Sequence, residues 1–175
     1  MTTRIVLVRH AQAVPPPFGL PDDGRRPLTP AGVEAARSLA ERLVAYGPAA
    51  VLSSPQLRAV QTVTPAADVL GLAVTTWPEL REWESGMLPS ADWEERYARS
   101  WADPGSAQGE GESLDALTSR AGKALARMAA EYPEVTVLVG SHGTFLARAL
   151  IAAGRRVDWA FWRALPMPAV HEVVV

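Results

Sequence analysis

A chain of 175 residues with a formal net charge of −2 is long enough to form one hydrophobic core, and its acidic and basic residues are interspersed. This balance argues against a nucleic-acid-binding or polybasic membrane surface, and the lack of cysteine excludes disulfides, thiolate metal sites and cysteine nucleophiles. The apolar run IVLV near the start is too short for a secretion signal or a membrane span, so we expect a cytoplasmic protein.

The first half of the chain alternates predicted strands and helices. The run RIVLV (4–8) is continuous, apolar and rich in β-branched residues, as in strands that are buried on both faces of a sheet. Thr29 and Pro30 have the residue types of a helix N-cap and a first helical position. After a second, weaker strand candidate, AAVLSS, the pair Ser54 and Pro55 repeats that helix start signal.

The second half continues the alternation. A third helix is predicted from Ser113 until Pro133 stops it, then the strand VTVLVG, and the chain closes on a predicted strand, HEVVV. This order predicts an α/β fold, a three-layer α/β/α sandwich with a mostly parallel central sheet, in one domain over 1–175. Two segments fall outside the rhythm: a Pro/Gly-rich loop at 14–27, expected beside the substrate, and a Trp-rich lid or insertion at 77–112.

Polar side chains follow three predicted strands at equivalent positions. Arg9 and His10 come directly after the first strand, Arg58 lies early in the helix after the second, and His142 follows VTVLVG. Because the carboxyl ends of parallel strands meet at one edge of a sheet, these four side chains can converge. Guanidinium groups match the oxygens of phosphate, and a neutral imidazole can attack phosphorus to form a covalent intermediate. The pattern indicates a phosphoryl-binding pocket that needs no metal.

Six motifs, in the same order, resemble those of the histidine phosphatase superfamily, which includes the cofactor-dependent phosphoglycerate mutases and many small acid phosphatases. They are LVRHAQA, LTPAGVEAA, SSPQLRAVQT, LREWESG, GEGESLDAL and GSHGTFL. The resemblance implies a phosphoglycerate mutase-like fold with His10 as the phosphorylated nucleophile. It also implies that Arg9, Arg58 and His142 bind the phosphoryl group.

The resemblance assigns the general acid to Glu82, in LREWESG. A carboxyl group beside phosphate oxygens is able to hold the proton that the leaving oxygen needs and later to activate water. Glu79 and Glu84 lie close in the sequence, so the choice among the three carboxylates stays open at this point.

Four further residues are expected near the substrate: Gln12, Arg25, Trp83 and Thr144. Arg25 and its neighbour Arg26 lie beside the DD dipeptide, and they either recognise a second anionic group or belong to a solvated loop. Trp83, together with a helical stripe of aromatic residues at 93, 97 and 101, either packs a lid onto the domain or lines the leaving-group pocket. The third histidine, His171, is expected to be structural.

The chain also departs from the family pattern. Ala11 stands where glycine is usual, which is harmless if the residue is extended. Ala13 stands where many relatives carry Ser or Thr followed by Asn, so we expect those substrate contacts to be missing. The RHAQA form resembles a compact branch that acts on phosphohistidine in signalling proteins, whereas LREWESG, GES and SHGT resemble the small-molecule phosphatases.

We therefore predict a metal-independent phosphomonoesterase that acts on small phosphate esters through a phosphohistidine intermediate, without a cofactor. The expected partner is a small phosphorylated substrate, not a nucleic acid or a membrane, and a homodimer stays open. The alternatives are a phosphohistidine-protein phosphatase, a phosphoglycerate mutase-type phosphotransferase and a non-catalytic phospho-ligand-binding module. A metallohydrolase is disfavoured because the histidines are few and lack H-x-x-H or H-E-x-x-H spacing.

Overall fold

The computed structural model describes residues 2–175, which fold around one five-stranded sheet. Its strands are β1 (Arg4–Arg9), β2 (Ala50–Ser53), β3 (Val74–Thr76), β4 (Thr136–Ser141) and β5 (Ala169–Val174). Their order across the sheet is β3-β2-β4-β1-β5, and every pairing is parallel except that of β5 with β1. The predicted α/β fold with a mostly parallel sheet is confirmed.

Six α-helices connect the strands. They are α1 (Pro30–Val44), α2 (Leu57–Leu70), α3 (Trp93–Ala102), α4 (Leu114–Glu131), α5 (Gly143–Ala152) and α6 (Trp159–Ala164), with a 3-10 turn at Pro78–Leu80. None of the helices formed by residues 2–175 is long and apolar enough to cross a membrane.

The three layers follow from the alternation of side chains along β1. Ile5 and Leu7 are fully buried in a cluster with apolar residues of α4 and α5. Val6 and Val8, which point to the other face, are fully buried against residues of α1 and α2. Helices on both faces explain why the strand reads as a continuous apolar run, and they leave only the ends of the strands for polar chemistry.

Local helix signals were correct at two positions and wrong at a third. The hydroxyl of Thr29 accepts a hydrogen bond from the Gly32 N–H, and the Ser113 hydroxyl caps α4 in the same way. By contrast, α2 begins at Leu57, not at Ser54 and Pro55. The Ser54 hydroxyl accepts from the backbone N–H two residues later, which makes a turn before the helix.

Two elements carried no clear signal, and one boundary was misplaced. The edge strand β3 has only three residues, of which one is partly buried, so its apolar pattern is too short to recognise. Helix α6 has six residues, capped by the Asp158 carboxylate. The last strand, predicted at 171–175, runs over Ala169–Val174.

Candidate active site

The carboxyl ends of neighbouring parallel strands form the site. Pairing between β1 and β4 places Arg9 opposite Ser141, and pairing between β2 and β4 places Ser53 opposite Gly140. The N–H of His10 continues this register by donating to the Ser141 oxygen over 3.0 Å. Residues that directly follow the three strands therefore lie side by side at one edge of the sheet.

The His10 imidazole is held in one tautomer. Its Nδ1 lies 2.7 Å from the backbone oxygen of Ala11, and its Nε2 lies 3.3 Å from Nε of Arg58. Because a carbonyl oxygen can only accept, Nδ1 carries the hydrogen, and Nε2 accepts from the guanidinium. Burial lowers the pKa of His10 to about 3, so the ring is neutral near pH 7 and carries its free electron pair on Nε2.

Arg58 lies in the first turn of α2, and its side chain is almost fully buried. Its Nη2 donates to Oδ2 of Asp22 over 3.0 Å, and Nη2 of Arg26 donates to the same oxygen over 2.8 Å. Burial raises the pKa of Asp22, but the hydrogen bond from Arg26 and the charge of Arg58 outweigh it and hold the pKa below its usual value. Asp22 of the 14–27 loop therefore forms ion pairs with both Arg58 and Arg26.

Arg9, the last residue of β1, lies against the start of α5. Its Nη1 donates to the backbone oxygens of Leu165, at 2.6 Å, and Pro166, at 3.4 Å. A Cβ atom on Gly143 would lie 3.0 Å from Nε of Arg9 and 3.2 Å from its Cζ. The missing side chain at Gly143 therefore lets the guanidinium lie on the first turn of the helix.

His142 is fully buried at the N-cap position of α5. Its ring centroid is 5.3 Å from that of His10, with the planes at 66°, and its Nε2 lies 2.8 Å from Oγ of Ser54. Although His142 stands at this position, its side chain makes no capping hydrogen bond to the helix. Burial lowers the pKa of His142 well below its usual value, and the charge of Arg58 adds to this, so the imidazole is neutral.

Glu82 lies at the N-terminus of α5. Its Oε1 accepts from the backbone N–H groups of Trp83 and Phe145, at 2.9 and 3.1 Å, and its Oε2 accepts from Thr144 at 3.3 Å. Its own N–H donates to Oε1 of Gln56 over 3.0 Å. The first turn of a helix offers free N–H groups and a partial positive charge, which suit a carboxylate.

The structure distinguishes Glu82 from the two neighbouring carboxylates. Burial lowers the pKa of both Arg9 and Arg58, and the negative charge of Glu82 raises both. The Glu82 carboxylate is bound to the first turn of α5, directly after His142. Glu79 and Glu84 instead form ion pairs with surface arginines. Of the three carboxylates that the sequence left open, Glu82 is the one that faces the pocket.

Arg120 of α4 holds the backbone of the segment that carries Glu82. Its Nη1 donates to the oxygens of Glu79 and Arg81, at 2.7 and 2.9 Å, and its Nη2 donates to the oxygen of Glu82 at 3.2 Å. Its Nε and Nη2 also form a two-point pair with the Glu112 carboxylate, at 2.8 Å each. This side chain forms no hydrogen bond with the pocket arginines or histidines, and its hydrogen bonds fix the segment that carries Glu82.

The pocket contains nitrogen atoms that the protein does not satisfy. Within residues 2–175, the buried Nε of Arg9, Nη1 of Arg58 and Nδ1 of His142 have no hydrogen-bond partner. Permanent positive charge and free donors around one point suit a tetrahedral oxyanion such as phosphate. Across the same residues, no group of three or more His, Asp or Glu side chains is arranged to hold a metal ion.

Two of the residues expected near the substrate lie on the loops around His10. The amide oxygen of Gln12 accepts a hydrogen bond from the Thr29 hydroxyl over 3.0 Å, so this side chain is tied to the N-cap of α1. The Arg25 residue is exposed, and its backbone N–H donates to Asp23. Arg26, the other arginine of that pair, is the one bound to the site through Asp22.

The other two lie next to Glu82. Trp83 is buried, its Nε1 donates to the Glu112 oxygen over 2.7 Å, and its ring meets Tyr97 edge to face with centroids 5.0 Å apart. Thr144 is buried, and its hydroxyl accepts from Nε1 of Trp162 over 3.2 Å. The substrate contacts expected of Gln12, Arg25, Trp83 and Thr144 stay a prediction.

Several residues at the site were not found from the sequence. Ser54 and Gln56 belong to SSPQLRAVQT, a motif in which only the arginine was assigned a role, although both polar side chains precede the helix directly. Asp22 lies in a DD pair that reads as a solvated loop. Arg120 has no local signal, because three of its five acceptors are backbone oxygens that lie 38 to 41 residues away in the chain.

A sequence model of the histidine phosphatase superfamily (branch 1) matches residues 5–175, and a search of curated proteins by sequence found no match. The mycobacterial glucosyl-3-phosphoglycerate phosphatase in complex with VO3 is 26% identical, with a TM-score of 0.73, over 98% of this chain and 91% of that one.

Two more solved structures have the same fold at lower identity. A mutant phosphoserine phosphatase from Entamoeba histolytica, bound to phosphoserine, is 16% identical with a TM-score of 0.75, over 98% of this chain and 89% of that one. Bacillus stearothermophilus YhfR is 22% identical with a TM-score of 0.75, over 97% of this chain and 90% of that one.

Proposed function

The chain belongs to the histidine phosphatase superfamily, branch 1, as a phosphatase of that type, and on this premise we propose that it hydrolyses small phosphate monoesters without a metal, through a phosphohistidine on His10. One observation carries the proposal. Nε2 of a neutral His10 accepts a hydrogen bond from the Arg58 guanidinium beside the ring of His142, and the charge of Arg9 also acts on this imidazole.

In the first step, Nε2 of His10 attacks phosphorus, and the bond from phosphorus to the leaving oxygen breaks. Arg9, Arg58 and His142 donate hydrogen bonds to the remaining phosphoryl oxygens, where negative charge is concentrated. The carboxylic acid form of Glu82 gives its proton to the leaving oxygen, so that the product departs as a neutral alcohol.

In the second step, the Glu82 carboxylate takes a proton from a water molecule as the water oxygen attacks the phosphorus of phosphohistidine. The phosphorus–nitrogen bond breaks, its electron pair returns to Nε2 of His10, and inorganic phosphate leaves. Nδ1 keeps its hydrogen bond to the Ala11 oxygen throughout, so the same tautomer is ready for the next cycle.

The low pKa of His10 supports its role as nucleophile. Imidazolium has no free electron pair on Nε2 and cannot attack phosphorus. Burial and, to a smaller extent, the charges of Arg58 and Arg9 lower the pKa to about 3, against the hydrogen bond to the Ala11 oxygen, which raises it. The nucleophile is therefore in its reactive form without any base to deprotonate it.

Structural relatives support the substrate class in general terms. The mycobacterial phosphatase has been solved with VO3 and with inorganic phosphate, and the Entamoeba histolytica phosphatase with phosphoserine and with 3-phosphoglyceric acid. Each of these ligands is a small phosphate compound or, for vanadate, a mimic of the phosphoryl group. We take vanadate as the inhibitor of choice for this chain.

The experiment that tests the function is the hydrolysis of 4-nitrophenyl phosphate in EDTA, from about pH 5 to pH 8. We expect turnover by the wild type, loss of turnover in His10→Ala, and an acid-labile, alkali-stable phosphoenzyme in the wild type alone. The control variant is His171→Ala, because this histidine lies on β5 with its ring against Phe161 and outside the pocket. Turnover that survives in His10→Ala, or depends on a metal, would overturn the proposal.

A further inference from the structure

An apolar groove lies beside the phosphate pocket, between the 14–27 loop and the Trp-rich segment. Its volume is about 620 Å³, within the range of small-molecule sites, and its walls include Phe18, Met87, Leu88 and Trp93. Three consecutive prolines, 15–17, form part of the same wall. Among the residues that line it, Arg96 alone is charged, and its Nη1 is bound to the Ser90 hydroxyl.

The apolar side chains of this groove are exposed to water, which is unusual for their size. Phe18 is 75% exposed, Leu88 is 46% exposed and Trp93 is 43% exposed. Exposed apolar side chains that gather in one concave place, instead of lying singly, mark ligand sites. The two walls are joined by a hydrogen bond from the Gly19 N–H to the Pro89 oxygen, 3.0 Å long, which holds the groove in shape.

Tyr97 connects the groove to the catalytic pocket. Its ring lines the groove and meets Trp83, the residue after Glu82, edge to face. The backbone N–H of Trp83 donates to Oε1 of Glu82, and the opposite wall of the groove belongs to the 14–27 loop, whose Asp22 carboxylate is bound to Arg58. The groove therefore begins on the side of the pocket where the proton donor stands and the leaving group must depart.

We infer that the groove holds the alcohol part of the substrate, and that the preferred substrates are phosphate monoesters of apolar alcohols, with an aromatic ring or a branched hydrocarbon next to the ester oxygen. This inference rests on the proposed function and adds the leaving-group class to it. A sugar would place most of its hydroxyl groups against prolines and aromatic rings, where hydrogen bonds lost from water are not replaced.

Benzyl phosphate and glycerol 3-phosphate test the inference, because both release a primary alcohol, one with an apolar ring and the other with two further hydroxyl groups. We expect the wild type to hydrolyse benzyl phosphate with a kcat/KM at least about tenfold higher. In the double variant Phe18→Ser, Leu88→Ser, this preference should fall to about twofold or less, with the rate on glycerol 3-phosphate unchanged. Both side chains are exposed, so the core is not disturbed.

The control is Val69→Ser, which removes an equally exposed apolar side chain near the far end of α2. Arg58 is the residue of α2 that belongs to the site, and Val69 lies eleven residues, or about 16 Å, further along the helix. Equal kcat/KM for the two esters, or a preference that survives in the double variant, would overturn the inference and leave the proposed function standing.

Phosphonates measure binding to the groove without turnover, because this mechanism does not hydrolyse their carbon–phosphorus bond. Calorimetry with benzylphosphonate and methylphosphonate should give about tenfold tighter binding of the benzyl compound to the wild type, and equal binding to the double variant. If no ester is hydrolysed and no phosphoenzyme forms, the proposed function fails, and the phosphonates alone decide whether the groove binds apolar groups. Equal binding of the two phosphonates to the wild type would overturn the inference that the groove binds apolar groups.

Discussion

Arg120→Lys tests whether the geometry around Glu82 sets the rate. The native guanidinium makes five hydrogen bonds, three to backbone oxygens of residues 79–82 and two to Glu112. Lysine keeps the positive charge but has three hydrogens on one atom and cannot bind a carboxylate and a row of carbonyls at the same time. The segment that carries Glu82 therefore loses its fixed position while the net charge stays the same.

Arg120→Lys should also lower the stability of the fold. Loss of two hydrogen bonds to a charged group, at about 1.5 kcal/mol each, lowers the free energy of unfolding by about 3 kcal/mol. For a chain of this size that corresponds to a fall in Tm of about 6 to 12 °C. Arg120 and Glu112 have side chains only 12% and 13% exposed, so solvent replaces the lost bonds poorly.

The effect on catalysis depends on the leaving group. A displaced acid costs about a hundredfold in kcat/KM on benzyl phosphate, because kcat/KM reports formation of the phosphoenzyme and the benzyl alkoxide needs a proton to leave. With 2,4-dinitrophenyl phosphate the loss in kcat/KM should stay below about threefold, because dinitrophenolate leaves without protonation. Inhibition by vanadate should not change, since Arg120 does not touch Arg9, Arg58 or either histidine of the site.

Arg127→Lys is the matched control, because Arg127 lies on the same helix and binds Glu79 and Glu131 at the surface. It should leave both rates nearly unchanged, and loss of the contact between its guanidinium and the Trp77 ring should lower the Tm by less than Arg120→Lys does. Equal losses on the two esters in Arg120→Lys, or weaker vanadate inhibition, would refute the reasoning, because they would mean that Arg120 acts on phosphate binding or only on folding.

Three further predictions concern the phosphate pocket. Asp22→Asn removes a negative charge from two of its arginines, so vanadate should inhibit about three- to tenfold more tightly; weaker inhibition would contradict this. Gly143→Ala should push the flexible Arg9 guanidinium aside and raise KM and the vanadate inhibition constant about tenfold, whereas Gly122→Ala, whose Cβ has 3.5 Å to its nearest neighbour, should change neither. Between pH 6.5 and 3 the unfolded chain binds a proton at His10 that the folded chain does not, so acid lowers stability there. From pH 7 to pH 5, His10→Gln should lose about 2 kcal/mol less unfolding free energy than the wild type in urea titrations, and equal losses would count against the low pKa.

The sequence predicted those parts of the fold and site that depend on local patterns. The strand-end rule brought Arg9, His10, Arg58 and His142 to one edge of the sheet without any knowledge of tertiary contacts. Thr29 and Ser113 gave helix starts for the same reason, since a cap is made within three residues.

The rest depended on contacts between distant parts of the chain. Ser54 looks like a helix cap, but its hydroxyl is used by His142, which lies 88 residues away. The environment of Glu82 is made by α5 and by Arg120, neither of which can be inferred from the motif LREWESG. The role of Asp22 was missed because an acidic pair in a loop is usually solvated, and nothing local marks the arginine that it meets.

The order of the strands has a consequence for how this chain reaches its active form. Strand β1, which precedes the other strands in the chain, pairs only with β4 and β5, and both of these begin more than 125 residues after it ends. During synthesis its apolar run IVLV has no strand partner until β4 has emerged, and Arg9 finds its acceptors at Leu165 and Pro166 later still. A ribosome-bound chain therefore cannot assemble the proposed phosphate pocket until Pro166 has been made.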